Sequence, residues 1–570
     1  MKVLLTDYLS VVTSAPSGIK RTRELVLQLA VMGKLVPQHS DDEPARELLK
    51  RIRQSIRIEV TGKVESKGRN RRRDQVEFEL PSSWCWTKLK ELVLKSESGW
   101  SPSCENRRRE GTEWGVLKVS AVSWGRFLPE ENKALPPHLA PREECEVKAG
   151  DFLISRANTA ELVARSVVVE DCPPHLMMSD KIVRLVMSEF VSCHYLHIFN
   201  SSRFARTYYE NSAGGTSSSM KNVSRQQILD LSVPLPPLAE QRRICEKVDE
   251  LMVLCDRLEA QQSEADAAHE ILVKSLLDTL TRSHDSHGFL TSWGRIKKNF
   301  DILFATEASV VLLKQTVLEL ALMGKLVPQY PNDEPAKDLL KRIRDERKAL
   351  GVLKRPSGRI AAEGSEPFPI PKTWQWATLG DTVLSSEAGW SPACEQRPCI
   401  AGEWGVLKVS AVSGDQFKPE ENKALPSTLE PRPSLEVRPQ EFLIARASGS
   451  AQLVAKSVIV NECPPRLMLS DKIVRLRFSK FVNSKYLNLY NNSTFGRDYY
   501  ERALSATTTM KNVSREQILN MPIALPPLSE QDRIVAKIDE VMAICDELIE
   551  QFVAANGKKI ALLDCVIANG

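Results

Sequence analysis

The sequence predicts a mixed α/β protein built from two similar halves, each an α/β domain followed by a long helix. Three observations predict this class: motifs that recur about 290 residues apart, short β-branched runs separated by Gly and Pro, and a heptad pattern after each domain. Two such helices in one chain most simply pack on each other. We therefore expect two α/β domains separated by two long antiparallel coiled-coil helices, with pseudo-two-fold internal duplication.

The duplication keeps its register along the chain. Met32–Gln38 returns as Met323–Gln329, 291 residues later, and Glu113–Ser123 returns as Glu403–Ser413, 290 residues later. This period is far longer than that of a solenoid repeat. A pseudo-two-fold molecule matches the symmetry of double-stranded DNA, whose strands are antiparallel.

Composition excludes some classes and leaves others open. The net charge of +5 is only mildly basic, but arginines cluster at Arg69–Arg73 and Arg107–Arg109, as in a solvated linker or a phosphate-binding surface. The twelve cysteines form no Cys-x-x-Cys pair, which indicates reduced thiols. No apolar stretch approaches the length of a membrane span, and the N-terminus does not resemble a signal peptide. We expect a cytoplasmic protein.

Changes of pattern divide the chain into six segments. Their predicted bounds are 1–77 for a helical module with a basic linker, 78–238 for the first α/β domain, 239–281 for the first long helix, 282–366 for a connector and a second helical module, 367–528 for the second domain, and 529–570 for the second long helix. Gly33 stands where a helix C-cap glycine is expected. Thr61–Gln75 and Gly351–Pro367 are predicted linkers.

Each long helix carries an apolar seam with heptad spacing. We predict that the seams form the spacer or a subunit interface; the alternative is that each packs on its own domain. The interface residues of this prediction are Ile244, Val248, Leu251, Leu258, Ile534, Ile538, Val541 and Leu548, with Leu272 continuing the first seam. Gln262 and His269 interrupt the first seam, so packing should weaken there.

A search for catalytic motifs finds none. Neither a glycine-rich loop for S-adenosylmethionine, nor a P-loop, nor an Asn/Asp-Pro-Pro-aromatic motif occurs. Glu146-Val147-Lys148 faintly resembles a metal-nuclease motif, but Arg438 replaces the lysine in the other half. His194 and His197 are a possible metal pair that the second half lacks. We predict no catalytic residue and no metal site.

A duplicated domain without catalysis is most economically a binding domain. Arg156 and Arg446 follow apolar strands, and Arg and Asn are the side chains that bond guanine and adenine edges. A salt-bridged structural role is the alternative for these arginines. The predicted DNA-binding residues are Arg107, Arg108, Lys118, Ser120, Arg126, Arg156, Asn158, Lys221, Asn222, Lys408, Ser410, Arg446, Lys511 and Asn512.

Four repeated motifs carry a resemblance to a known family. They are a Leu-Val-Pro-Gln segment at Leu35–Gln38, a Pro-x-x-Trp-x-Trp start to each domain, a Met-Lys-Asn segment, and the sequence Pro-Leu-Pro-Pro-Leu-Ala-Glu-Gln-Arg-Arg-Ile at Pro234–Ile244, repeated with small changes at Leu525–Ile534. Nearly the whole chain resembles the specificity (S) subunits of type I restriction-modification enzymes.

The resemblance implies two target-recognition domains that each bind half of a split double-stranded DNA site. It also implies docking of two methylation (M) subunits, which methylate adenine N6 with S-adenosylmethionine, and of motor-nuclease (R) subunits that use ATP and Mg; none of these cofactors would be bound by this chain. The family's two domains are often dissimilar, whereas these are close copies, so we expect related, inverted half-sites. A freestanding DNA-binding regulator, an enzyme with an unrecognised site and a methylation-only system remain alternatives.

Overall fold

The structure is a computed structural model that describes residues 15, 17–59, 78–215, 220–283, 286–351, 367–504 and 511–569. The predicted linker Thr61–Gln75, the cluster Arg69–Arg73 within it, and residues 352–366 of the second linker lie outside this range. The chain forms two compact units. The first comprises residues up to Ala265 together with those from Ala555 onward, and the second comprises Asp266–Ala554.

The described part of the first half begins with the helical module, continues through the α/β domain and ends with the long helix. Its helices are α1 (Gly18–Val31), α2 (Ala45–Glu59), α3 (Cys193–Ser201), α4 (Arg203–Ser212), α5 (Arg225–Leu229) and α6 (Leu238–Arg282). Its strands are β1 (Cys85–Lys88), β2 (Val93–Ser98), β3 (Gly115–Leu117), β4 (Asn132–Ala134), β5 (Phe152–Ser155), β6 (Ala157–Asn158), β7 (Ser166–Val168), β8 (Leu176–Met177), β9 (Ile182–Met187), β10 (Lys221–Asn222) and β11 (Ser232–Leu235).

The second half repeats this order after a helical connector. Its helices are α7 (Ser286–Lys298), α8 (Phe300–Leu303), α9 (Glu307–Leu322), α10 (Ala336–Ala349), α11 (Leu379–Thr382), α12 (Ser484–Asn492), α13 (Thr494–Ala503), α14 (Arg515–Leu519) and α15 (Leu528–Asn569). Its strands are β12 (Gln375–Thr378), β13 (Val383–Ala388), β14 (Gly405–Leu407), β15 (Asn422–Ala424), β16 (Phe442–Ala445), β17 (Ala447–Ser448), β18 (Ser457–Ile459), β19 (Leu467–Met468), β20 (Ile473–Phe478), β21 (Lys511–Asn512) and β22 (Pro522–Leu525).

The two α/β domains have the same sheet topology, so the duplication seen in the sequence extends to strand pairing. The first has an antiparallel sheet in the order β2-β9-β5-β7, a mixed sheet in the order β4-β3-β8, and the pairs β1-β11 and β6-β10. The second repeats these as β13-β20-β16-β18, β15-β14-β19, β12-β22 and β17-β21. The mixed α/β class with internal duplication is confirmed.

One apolar core joins the helical module, the domain and the start of the long helix in each half. In the first unit, Leu48 and Ile52 of α2 belong to the same cluster as Trp84, Tyr195 and Ile244. The second unit has the equivalent cluster around Trp374, Tyr486 and Ile534. The helical modules therefore pack directly on the domains that follow them.

The predicted seam is partly wrong at its N-terminal end. Ile244 and Val248 are buried in the core of their own domain, as are Ile534 and Ile538, and Leu251 packs against the same core. Two residues separate each long helix from the preceding strand of its domain (β11 or β22), so its first turns lie against that domain.

Farther along the helices, the seam contributes to a separate cluster in the second unit. Val273, Leu277 and Leu280 of α6 share this cluster with Val541, Cys545 and Phe552 of α15 and with residues of the connector and of α9. The C-terminal half of α6 thus packs with the N-terminal half of α15, as in a pair of antiparallel helices. Leu258 and Leu548 are half-buried. Leu272 was predicted in the seam but is 52% exposed, while Val273 is buried, because a 3.6-residue helix drifts from a heptad repeat.

The middle of α6 is exposed in the part of the chain that the structure describes. Residues 259–268 are all exposed, which confirms that packing weakens around Gln262. The ring of His269 is half-buried, and its Nε2 lies 3.1 Å from the carbonyl oxygen of Ile302.

One predicted strand is shorter than expected. The β-branched run Val116–Val122 is typical of a strand, but β3 ends at Leu117 and a 3₁₀ turn occupies Val119–Val122. The amide of Ala121 donates to the carbonyl of Lys118, which closes this turn. Ser120 therefore lies in a turn and not in a strand, and the same holds for Ser410 in Val409–Ala411.

Candidate DNA interface

The most strongly repeated motifs meet at the junction of module, domain and long helix. Gly33 ends α1 at φ +70°, and the Lys34 amide donates to the Leu29 carbonyl, which confirms the predicted glycine cap. A Cβ at Gly33 would lie 2.5 Å from Pro81 Cγ, so only glycine allows this approach. The Ser83 hydroxyl donates to Gln38 Oε1 at 2.8 Å, so the Leu-Val-Pro-Gln and Pro-x-x-Trp motifs touch each other.

Glu240 is the buried centre of this junction. Trp84 Nε1 donates to Glu240 Oε2 at 2.9 Å, and Gln38 Nε2 donates to Oε1 at 2.5 Å. Beside it, Arg243 of the same helix forms a two-pronged ion pair with Asp42 at 2.6 and 3.3 Å. The repeated motifs therefore form the contacts that hold the helical module, the domain and the long helix together.

The equivalent junction in the second half is less well satisfied. Glu530 is inaccessible to solvent, and neither of its carboxylate oxygens has a hydrogen bond of normal length to the described residues. Gln329 donates to the Gly324 carbonyl at 3.1 Å, as its counterpart Gln38 does to the Gly33 carbonyl at 3.2 Å, but among the described residues it makes no hydrogen bond to Glu530 like that of Gln38 to Glu240. Burial raises the pKa of Glu530 to about 7.

We expect the second unit to lose stability as the pH rises from about 4.5 to about 7. The pKa of Glu530 is raised on folding, so the protonated folded form is favoured at low pH and the stabilisation is lost as the pH passes the folded pKa. The full difference is roughly 3 kcal/mol. Glu530→Gln should remove this pH dependence in denaturant unfolding of the full chain; an unchanged slope would contradict it.

Glu240→Gln is the matched control for this experiment. Because Glu240 accepts hydrogen bonds from Trp84 and Gln38, an amide there must turn one donor towards another. We expect destabilisation at every pH, with a smaller change of slope than in Glu530→Gln, because burial raises the pKa of Glu240 less than that of Glu530.

The backbone of the faint nuclease motif, together with the nearby Asp151, holds an arginine whose side chain is 12% exposed. Arg184 pairs with Asp151 at 3.1 Å and with Glu97 at 2.5 Å, and its Nη1 donates to the Glu146 carbonyl at 2.7 Å. Arg475 has the equivalent arrangement with Glu441 and Glu387. Within the described part of the chain, no three His, Cys, Asp or Glu side chains are grouped to hold a metal ion.

Four candidate DNA-binding residues of the first domain come together at the β6-β10 pair. Lys221 lies opposite Asn158, and Asn222 lies opposite Ala157. Arg156 immediately precedes β6, and its Nε lies 3.5 Å from the carbonyl oxygen of Val223. These residues are half-buried or exposed, so a ligand can reach them.

The second domain repeats this arrangement with one exchange. Lys511 lies opposite Ser448, and Asn512 lies opposite Ala447. The Nε of Arg446 lies 3.3 Å from the Val513 carbonyl oxygen. Ser448 replaces Asn158, so the two patches share a frame and differ in one hydrogen-bonding side chain.

A loop of the first domain reaches the same surface. Asn158 Nδ2 donates to the hydroxyl of Ser123 at 2.9 Å. Ser123 leads into the exposed residues Trp124, Gly125 and Arg126. The loop that carries Arg126 therefore begins beside the β6-β10 pair.

Arg107 is held by carboxylates of its own loop. It pairs with Glu105 at 2.8 Å and forms two hydrogen bonds to Glu113, at 2.7 and 2.9 Å. This pairing lowers the pKa of Glu113 to about 2 and raises the pKa of Arg107. Arg397 repeats the arrangement, which favours a structural role for Arg107. Arg108 is more available: its side chain is 60% exposed, with Glu131 at 3.6 Å.

The remaining candidates surround a second repeated carboxylate. Ser120 donates to Glu131 at 2.7 Å, and Lys118 Nζ lies 3.4 Å from the same carboxylate. The Ser120 hydroxyl, followed by the Lys118 charge, lowers the pKa of Glu131. Ser410 and Lys408 repeat these contacts with Glu421 at 2.6 and 3.5 Å. Their polar groups are therefore already engaged within the domain.

Sequence reasoning missed the buried arginine that fixes the loop after Asn158. Arg206 Nη2 donates to the carbonyls of Val163 at 2.6 Å and Glu161 at 3.3 Å, and burial lowers its pKa to about 10. Arg497 makes the equivalent bond to Val454. The repeated Arg-x-Tyr-Tyr pattern was the available signal.

Comparison with known proteins decides the family. Residues 457–554 match the family model described as type I restriction modification DNA specificity domain. The type I restriction enzyme EcoEI specificity subunit of Escherichia coli is 36% identical, over 96% of this chain and 93% of that protein. The chain belongs to the family of type I restriction enzyme specificity subunits. The resemblance found in the sequence is thereby confirmed.

Other relatives agree with this assignment. The EcoAI specificity subunit of Escherichia coli is 29% identical to this specificity subunit, over 96% of this chain and 93% of that protein. A solved structure from a study of complex assembly and conformational transition of the type I R-M system has a TM-score of 0.51 and 18% identity, and it covers 86% of this chain and 98% of its own. That likeness confirms the fold.

As a type I specificity subunit, the protein gives sequence specificity for DNA and takes part in complex assembly. Among the described residues, no helix has the length and apolar character needed to cross a membrane.

Proposed function

We propose that each α/β domain of this specificity subunit binds one half of a bipartite DNA target, and that the half-sites are related and inverted around a non-specific spacer. The observation that carries this proposal is the repetition of the β6-β10 patch as β17-β21, in the same register and with the arginine, lysine and asparagine kept. Two similar surfaces recognise similar sequences.

The differences between the patches predict where the half-sites differ. Asn158 can bond an adenine edge in two places, whereas the shorter Ser448 makes a single, less selective contact. The frame around them, including Arg206 and Arg497, is shared. We therefore propose half-sites that agree at most positions.

The assembly would contain two methylation subunits and motor-nuclease subunits, with this chain as a non-catalytic cytoplasmic subunit. We propose that S-adenosylmethionine, ATP and Mg bind to those partners and not to this chain. In the described region, the carboxylates near the faint nuclease motif and its counterpart, Asp151 and Glu441, are engaged by Arg184 and Arg475, which supports a structural rather than a metal-binding role. A role as a freestanding regulator is not favoured by the comparisons.

Arg156→Ala and Arg446→Ala should each relax recognition of one half-site. Loss of a base contact costs about 1–3 kcal/mol, which is roughly a 5- to 150-fold loss of affinity confined to that half. Binding of the assembled complex to targets randomised in either half measures this, and each variant is the control for the other. Unchanged affinity and target choice in both variants would exclude base contacts by these arginines. Their role would then be structural, through the contacts with the Val223 and Val513 carbonyls.

The direct test of the function is genome-wide mapping of N6-methyladenine. The chain is co-expressed with its methylation subunit in a host that lacks adenine methylation. A split motif with related, inverted halves is expected. A motif whose halves share no bases would contradict the inference from duplication, and no methylation by a soluble, assembled complex would contradict the function itself. Restriction of unmethylated DNA after addition of a nuclease subunit distinguishes a full system from a methylation-only one.

A further inference from the structure

The loop beside the β6-β10 pair presents an exposed tryptophan from a fixed base. Val122 and Ser123, which precede Trp124, are buried, and Phe127 after it packs against a core cluster. The Leu128 amide donates to the Ala121 carbonyl at 3.0 Å and closes the loop. The Trp124 side chain is nevertheless 62% exposed. Because both ends of the loop are anchored, this ring is held out towards solvent.

The position of the loop is set by a candidate DNA-binding residue. Asn158 donates its amide to the hydroxyl of Ser123, the residue next to Trp124, and Asn158 itself lies opposite Lys221. Ser123 also donates to the Val119 carbonyl at 2.7 Å, which fixes its side chain. Trp124 therefore stands at the edge of the surface that carries Asn158, Lys221 and Arg126.

The second domain keeps the frame and loses the ring. Ser413 donates to the Val409 carbonyl at 2.7 Å, as Ser123 does to Val119. The next residue is Gly414, followed by Asp415, whose carboxylate lies 3.6 Å from Lys456 Nζ. The loop of the first domain thus carries an aromatic ring and a cation, Trp124 and Arg126. The equivalent loop of the second domain carries a glycine and an aspartate that is paired with Lys456.

We propose that Trp124 stacks on a nucleobase at an unstacked base step and determines specificity for the first half-site only. The proposal rests on the function proposed above, because it assumes that the first domain binds DNA. Aromatic side chains stack on bases that have left the helix stack, and large side chains inserted between base pairs open such a step. Pyrimidine–purine steps open most easily, so an inserted ring favours half-sites that carry such a step. Arg126, two residues away and exposed, supplies a cation for the neighbouring phosphate.

The test compares Trp124→Ala, Trp124→Phe and Gly414→Ala in the complex assembled with methylation subunits. Trp124→Ala should weaken binding to the target duplex about 5- to 100-fold. Trp124→Phe should lose less than about 5-fold, because a smaller ring still stacks. Gly414→Ala is the matched control at the equivalent position, where an added Cβ meets only ordinary contacts, and should bind as the unsubstituted complex does.

Two further readouts separate a DNA contact from a structural role. With a target library randomised in each half, Trp124→Ala should lose selectivity in the half that Arg156→Ala also affects. The fluorescence of Trp124 is obtained by subtracting the emission of the Trp124→Phe complex from that of the unsubstituted complex. Addition of the target duplex should quench this difference.

The outcomes are distinguishable. Unchanged affinity and selectivity of Trp124→Ala, in a complex whose unsubstituted form is specific for a split target, would overturn the role of Trp124 alone. Equal losses in both half-sites would overturn its assignment to one domain. An unsubstituted complex without any split target would overturn the proposed function instead.

Discussion

Removal of seven residues from the middle of each long helix should move the methylated target to one with a shorter spacer. Residues 260–266 of α6 and 553–559 of α15 span the points at which each helix passes from one compact unit to the other. Seven residues are about 10 Å of helix, which corresponds to about three base pairs of DNA. Because seven residues are close to two full turns, the faces of the helices keep their phase.

The structure favours a deletion in the exposed middle of each long helix over one near its start. The heptad pattern alone would place it at Val248–Leu254 and Ile538–Ile544, but Val248 and Ile538 are buried in the domain cores, so that deletion would unfold the junction. Residues 260–266 are all exposed. Replacing the same fourteen residues with alanine keeps the length and is the control, which should retain the original target. Methylation of the original target by the deletion variant would show that the helices do not set the spacer.

Arg475→Met should destabilise the second unit by about 3 kcal/mol or more, the largest expected effect of a single substitution in the frame. The Arg475 side chain is 2% exposed and pairs with Glu441, itself 11% exposed, while donating to the carbonyls of Ser434 and Glu436. Removing one member of a buried ion pair leaves an uncompensated charge and unpaired acceptors. Denaturant unfolding of the full chain, followed at the second unit, measures the loss.

Arg477→Met is the control for this substitution. Arg477 lies on the same strand and 3.7 Å from the same Glu441, but its side chain is 61% exposed. An exposed pair contributes less than about 1 kcal/mol. Similar losses in both variants would mean that burial is not the cause. Adding Glu441→Gln to Arg475→Met should recover part of the stability, because the uncompensated charge is then removed.

The local features of the fold were predictable from the sequence, and the long-range ones were not. The glycine cap at Gly33 and the long helix depend on residues close together in the chain, and both were predicted. The end of β3 at Leu117 depends on a hydrogen bond from Ala121 that closes a turn. The β-branched residues in that turn are typical of a strand, so the turn was not predicted. The shift of the seam from Leu272 to Val273 depends on what packs beside the helix.

The same distinction holds for the candidate interface. Arg156 and Asn158 could be selected by side-chain type, and Lys221 by its repeated motif. Their meeting depends on antiparallel pairing of strands more than sixty residues apart, which no local pattern encodes. Arg107 was selected as a free cation, yet its position in the turn before Glu113 gives it a local carboxylate partner. Composition gives the charges of a surface but not which of them are already paired.

The ion pair between Arg21 and Asp564 joins the first helix of the helical module to the second long helix. It places residues near the two ends of the described chain side by side in the first unit, where Arg23 also pairs with Asp256 and Glu259 of α6. Two segments that lie side by side can be joined there while the chain is opened elsewhere, as in circular permutation. We expect a chain rearranged so that the second half precedes the first to restore the contacts of Arg21 and Arg23 with the two long helices.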